Sequence, residues 1–175
     1  MSTNTRETTG SDLGSGLFLF SLLFGFWLLL TGSLDSAEII AGLLVALIVT
    51  LISRPYLSLF HGVRLTPGAI PAFITYLALF FLALIRANLD MARRVLSPAL
   101  PLQPNLVEIK TELQSPLGRL ILANSITLTP GTLTVDVNDQ ILLIHWIDAP
   151  EDVDIESASE TIARQFERTL KGFVK

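Results

Sequence analysis

Cysteine is absent from this chain of 175 residues, which excludes structural disulfides and thiolate-held metal sites. Histidine occurs only at His61 and His145, too far apart in sequence to suggest a histidine-built metal centre. Charge is scarce as well. Charged residues make up 16% of the chain and hydrophobic ones 50%, whereas an ordinary soluble domain carries about 25% charged residues. A basic excess is also missing. Residues 1–98 hold six arginines against five acids, net +1, and residues 99–175 hold six Lys/Arg against eleven acids, net −5, which together give the overall −4. An acidic tail argues against nucleic acid, whose phosphates demand basic patches. Neither a P-loop nor a dinucleotide-binding fingerprint occurs. No Ser-His-Asp set or carboxylate pair can be argued from spacing, so no catalytic residue, metal ligand or cofactor is expected.

What is present is apolar sequence in long runs. Residues 1–16 are rich in Ser, Thr and Gly and read as a mobile leader. An uncharged Leu/Phe-rich run follows from Leu17 to Leu30, with Trp27 suited to a membrane interface. A signal peptide is the alternative, but the leader has one Arg against two acids and a second apolar run, Ile39 to Ile52, follows at once. A spanning helix needs about 20 residues, or roughly 17 at the low end. Extending the runs to Leu13–Thr31 and Ala37–Ser53 brings both within reach. The short link around Asp35 and Glu38, with Ser36 as the expected cap of the second helix, makes the pair a helical hairpin with an acidic tip. Arg54, His61 and Arg64 beyond it place that exit, and the N-terminus, in the cytoplasm.

The third apolar segment, Ala69 to Ile85, carries no charge but continues into Arg86, Asn88, Asp90, Arg93 and Arg94. Basic residues at both ends conflict with a simple span. The segment is therefore either a third transmembrane helix or, as we prefer, a long amphipathic helix along the cytoplasmic interface. Three prolines (Pro98, Pro101, Pro104) then end any helix.

Beyond the linker the period changes. Val107 and Ile109 alternate with Glu108 and Lys110 as in a half-buried strand. Ser115-Pro116 starts a helix to about Ser125. Thr129-Pro130-Gly131-Thr132 is a turn. Leu133, Val135 and Val137 mark a second strand, and Asn138-Asp139 a hairpin into a third, Gln140–Asp148, apolar on both faces. A last helix is expected over Asp154–Lys171, its stripe at Ala158, Ile162, Phe166 and Leu170. The order β-α-β-β-α is a ferredoxin-like arrangement lacking its last strand. The expected organisation is thus leader 1–16, membrane region 17–97, proline-rich linker 98–104 and cytoplasmic α+β domain 105–175.

Several polar groups invite a chemical reading. Asp35 or Glu38 as an ion relay competes with a solvated hairpin tip, and the tip is preferred. Arg86, Asn88 and Asp90 form either a polar seam against another subunit or the wet face of an interfacial helix, with Arg86 able to pair with Asp90. Arg93 and Arg94 suit anionic headgroups. His145 alternates with Ile141, Leu143 and Ile147 and reads as an ordinary sheet residue. The hydroxyls of Ser125, Thr127, Thr129, Thr132 and Thr134 resemble a phosphate cradle but lack its glycines and lysine, so they are expected to cap backbone groups. The apolar surplus of the 116–125 helix and the third strand marks a contact surface.

Three stretches carry a family resemblance: ANSITLTPGTLTVDV (Ala123–Val137), LLIHWID, and upstream RANLDMARRVLSP. Together, over about residue 17 to the C-terminus, they resemble the E subunits of the Mrp-type multisubunit sodium/proton antiporters. Arg86-Ala87 departs from the usual small-polar lead-in of the upstream element. The resemblance implies a small, non-enzymatic assembly subunit in the cell membrane. Its partners would be other subunits of a complex exchanging Na+ or other monovalent cations for protons, with the ion path in the large subunits. It also marks Asn124, Ser125, Thr127, Thr129, Pro130, Gly131, Thr132 and Asp136 as the family motif and a subunit contact. Related subunits in membrane-bound hydrogenases and respiratory complexes are the alternative setting, and a stand-alone oligomeric ion transporter is a further one.

Overall fold

The computed structural model describes residues 5–64, 66–98 and 102–175, with the side chains of 5–12 and of His61 outside the description. The start of the expected leader, the His61 side chain and Pro101 of the linker therefore lie outside the described residues. The chain forms two compact units, Met1–His61 and Gly62–Lys175.

The first unit is the expected hairpin. Helix α1 runs Thr5–Thr31 and α2 runs Ser36–Ile52, followed by a 3-10 stretch over Arg54–Gly62. α1 thus starts inside the segment assigned to the leader; its apolar part, Leu13–Thr31, is long enough to cross a membrane. α2 and the 3-10 turn are bent by 89° at Ser53. Ser36 does not cap α2. Asp35 holds the cap position in extended backbone without a side-chain cap bond, and its own amide is taken up by the Ser33 hydroxyl at 3.2 Å. Glu38 sits in the first turn as expected.

Trp27 turns inward to join the helices. Its Nε1 donates to the Glu38 carbonyl at 3.1 Å, and its ring lies against Gly42. A Cβ on Gly42 would sit 2.6 Å from Trp27 Cδ1, so only glycine lets the helices approach this closely, as small residues do between membrane helices.

The second unit begins with α3 (Ala69–Leu96) and continues through β1 (Asn105–Lys110), α4 (Pro116–Leu128), β2 (Thr132–Asn138), β3 (Ile141–Trp146), α5 (Ile155–Ile162) and α6 (Arg164–Leu170). Residues 69–96, read in sequence with the membrane region, are thus compact with the α+β elements. The sheet is antiparallel with order β1-β3-β2. Val107, Ile109, Leu142 and Ile144 face the core, joined by Leu122 and Ile126 of α4, Ile162 and Phe166, and Tyr76 of α3.

Two local expectations change. A bulge between Thr134 and Asp136 shifts the register of β2, so Leu133 lies opposite His145 while Val137 lies opposite Leu142. The two residues therefore leave the sheet on opposite faces, since an inserted residue inverts the alternation. The last helix is broken at Ala163 into α5 and α6. Ser159 donates its hydroxyl to the Ile155 carbonyl at 2.6 Å, a back-bond that bends helices, and the buried stripe survives the break. Ser115 caps α4 as expected, accepting from the Gly118 amide at 3.1 Å.

A buried carboxylate fastens α6 to the end of β1. Glu167, 1% exposed, accepts from the Thr111 hydroxyl at 2.7 Å, from the Glu112 amide and from Arg164 at 3.1 Å. Glu112 pairs in turn with Lys171. That hydrogen bond and charge, helped by Arg164, hold the Glu112 carboxyl below its ordinary value.

The hairpin geometry predicts that Gly42→Ala lowers stability by about 1–3 kcal/mol through overpacking against Trp27. Adding Trp27→Ala should remove most of that extra cost. Denaturation midpoints of the two single variants and the double variant check it; strictly additive losses would refute the contact.

Candidate functional site

The motif residues gather where α4 ends, and their hydroxyls are spent within the chain. Ser125, buried, donates to the Ile121 carbonyl at 2.6 Å and lies 2.6 Å from the Tyr76 hydroxyl. With the serine proton on Ile121, the tyrosine O–H is the donor to Ser125. Thr129 donates to the Ser125 carbonyl at 2.8 Å and Thr132 to the Ile126 carbonyl at 2.7 Å. Thr127 accepts from the Thr134 amide at 3.1 Å, and Thr134 donates to the Ala123 carbonyl at 3.0 Å. These bonds close the last turn of α4 and fix the start of β2. They leave no phosphate cradle.

Gly131 stands at the apex with φ +100, a left-handed value that favours glycine. A Cβ there would meet Ile147 Cγ2 at 3.3 Å and Met91 Cε at 3.6 Å. The turn is therefore pressed against the C-terminal half of α3. Beside it Arg94 of α3 pairs with Asp148 at 2.5 Å and with Asp90 at 2.7 Å. A cleft of about 380 Å³ lies between these elements, walled by Met91, Pro130, Trp146 and Phe166 among others. Its arginine and threonines already serve internal partners, so the cleft aims none of them at a ligand.

The remaining sequence candidates are dispersed. Asn124 is exposed and donates to the Leu120 carbonyl at 2.9 Å. Asp136 is exposed in β2, opposite Leu143. On α3, Asp90 pairs with Arg94 and not with Arg86. Arg86 and Asn88 are two residues apart, which places them on nearly opposite flanks of a helix with 3.6 residues per turn. The three residues therefore do not line one seam. Asp35 is exposed at the hairpin link. His145 lies mid-sheet between Leu106 and Leu133. Among the described residues no cluster of three His, Asp or Glu is placed to hold a metal.

Sequence reasoning missed the Tyr76–Ser125 and Arg94–Asp148 links, because both join residues about fifty positions apart. One signal was available. Tyr76 is the only tyrosine in the apolar run Ala69–Ile85, and a buried Tyr O–H usually has a partner. The apolar surplus attributed to α4 is largely absorbed by the core shared with the sheet and α6, with Leu117 and Ile121 packed on it, while Leu120 stays exposed. Exposed apolar surface remains on the hairpin (Phe26, Ile40, Ile48), on one face of α3, and on the outer sheet face (Leu106, Leu133, Ile141).

Apolar helices long enough to cross a bilayer, joined to a small α+β unit, define a membrane-embedded protein. The chain belongs to the Na+/H+ ion antiporter subunit family MNHE, whose model matches residues 20–172. It is similar to the E subunit of the Na(+)/H(+) antiporter of Alkalihalophilus pseudofirmus, 33% identical over 146 residues, covering 82% of this chain and 88% of the relative. The E1 subunit of the Na(+)/H(+) antiporter of Staphylococcus saprophyticus is 32% identical over 155 residues, covering 82% and 91%. A chain in the structure of the membrane-bound sulfane sulfur reductase, an archaeal respiratory membrane complex, aligns at TM-score 0.78 and 44% identity, covering 90% of this chain and 97% of that one. The helical region followed by the small sheet-and-helix unit is therefore an architecture shared with that complex.

Gly131→Val should cost about 1–3 kcal/mol, from a β-branched residue at positive φ and crowding of Ile147 and Met91. An unchanged denaturation midpoint would show that the turn is not held as described.

Proposed function

We propose that this chain is a non-catalytic assembly subunit of a multisubunit complex in the cell membrane that exchanges Na+ for protons. The observation that carries the reading is similarity, over most of the chain, to antiporter subunits of that name, joined to ionisable groups that are occupied structurally or sit at exposed links. The transported ions would be handled by partner subunits. The small subunit would contribute apolar surface, on the hairpin and on the outer sheet face, to neighbours and to lipid.

The sheet order β1-β3-β2 with α4 after β1 and α5 after β3 supports reading the second unit as ferredoxin-like without its last strand. Residues 17–97 then form the membrane-associated region, 98–104 the linker and 105–175 the domain in water. The arginines Arg54, Arg64, Arg86, Arg93 and Arg94 flank the apolar segments on the side leading to that domain, which supports a cytoplasmic location. The motif Asn124–Thr132 acts first inside the chain, bracing α3 against the sheet, so any intersubunit contact through it depends on that brace. Asp136, on the outer sheet face, is the motif residue best placed to meet a neighbour.

A second setting has its own support. The 44% identity to a chain of a respiratory membrane complex favours an equivalent small subunit in such an assembly, with the same structural role.

Purification of the complex from native membranes in mild detergent tests the role. This chain should travel in a large hetero-oligomer, and its removal should lower the yield of assembled complex together with Na+/H+ exchange in vesicles. A homogeneous small species, or a complex that assembles and exchanges fully without it, would contradict the proposal. The co-purifying subunits separate the antiporter from the respiratory setting.

A further inference from the structure

By length and composition α3 qualifies as a membrane span, yet its contacts run nearly its whole length along the α+β elements. Near its start Ala72 is pressed against Gly172, and the Phe73 and Phe173 rings are 5.4 Å apart. Midway, Tyr76 bonds Ser125, and Phe80 lies 6.4 Å from Phe166. Towards its end Met91 meets the Gly131 turn and Arg94 pairs with Asp148. From Ala72 to Arg94 the helix rises about 33 Å at 1.5 Å per residue, which matches the roughly 30 Å hydrocarbon thickness. A spanning α3 would therefore carry the α+β unit into the hydrocarbon. Arg164 with its acidic partners Glu112, Glu156 and Glu160 would go with it, as would the open edges of β1 and β2. Lipid tolerates neither unsolvated charge nor unpaired strand edges.

The opposite face of α3 is apolar except for Asn88, whose side-chain amide donates to the Leu84 carbonyl at 2.8 Å. Ile70, Ile74, Phe81, Ile85, Leu89 and Leu96 are each more than half exposed. At 100° per residue they fall on one side of the helix, turned away from Tyr76, Phe80 and Arg94. Arg86 and Arg93, both exposed, are seven residues apart and stack on one flank between the two faces, where cations meet anionic headgroups.

We infer that α3 is an in-plane helix. Its outward face is seated in the lipid interface, Arg86 and Arg93 lie at headgroup level, and the α+β unit is carried on its other side. The inference rests on the membrane-subunit reading, but its failure would leave that reading intact.

Spin labels at single cysteines test it directly, since the chain has no cysteine of its own. Ile74→Cys, Ala78→Cys, Phe81→Cys, Ile85→Cys and Ala92→Cys would be placed in the purified complex, in nanodiscs of phosphatidylethanolamine and phosphatidylglycerol. The unsubstituted complex serves as blank, and the two alanine positions guard against misfolding. Collision with oxygen and with a water-soluble nickel chelate reports depth. All five sites should give oxygen-to-nickel ratios within about twofold of one another, at a depth of roughly 5–10 Å below the phosphates. Arg86→Cys should read as headgroup-level. A ratio that rises and falls along the series, as depth changes by about 1.5 Å per residue, would overturn the inference. So would exclusion of both reagents at every site, which would place a partner protein on this face.

Discussion

The Tyr76 hydroxyl, donated to a buried serine, fixes an otherwise oily helix to the folded α+β unit. Around it the Phe73–Phe173 and Phe80–Phe166 contacts supply apolar burial, and the Arg94–Asp148 pair closes the far end. The serine's own proton is committed to Ile121, so losing the tyrosine oxygen would leave Ser125, 1% exposed, with one partner fewer. An unmade bond at a buried site costs about 1–3 kcal/mol. The position of α3, and with it the surface left for lipid and neighbours, follows from this attachment.

The two units solve the same problem by different means. In the hairpin, close approach comes from a missing side chain at Gly42, and specificity comes from one indole hydrogen bond to a carbonyl. In the α+β unit, polar bonds do the positioning. Glu167 reaches across to the end of β1, and the motif threonines clasp the last turn of α4. Membrane helices lack a hydrophobic drive to associate. The α+β unit has a hydrophobic core and uses its buried polar groups to choose one arrangement.

Much of this was legible in the residues, because the signals were local. Ser115-Pro116 starts α4, Pro130-Gly131 turns the chain, Asn138-Asp139 closes the hairpin, and Val107 and Ile109 point to the core as alternation requires. Other features were not legible because they are tertiary. The bulge at Val135 is invisible in a run that alternates perfectly, and nothing near Ser36 shows that Ser33 and Asp35 take over the cap region. The length and apolarity of residues 69–96 suit a span and an interfacial helix alike. The in-plane helix we infer draws on Ser125, Phe166 and Asp148, the partners of Tyr76, Phe80 and Arg94, all distant in sequence. The motif was readable as a family mark, but its use as a brace for α3 was not.

The brace formed by the motif and the seating of α3 share one requirement: residues 69–96 must belong energetically to the α+β unit. Hydrogen exchange of the full chain carrying Tyr76→Ala measures this most directly. The account predicts that peptides over 69–96, 120–128 and 166–174 gain exchange together, while those over 13–52 keep their protection. Peptides of 69–96 that stay as protected as the hairpin, with the rest of the unit loosened alone, would contradict it.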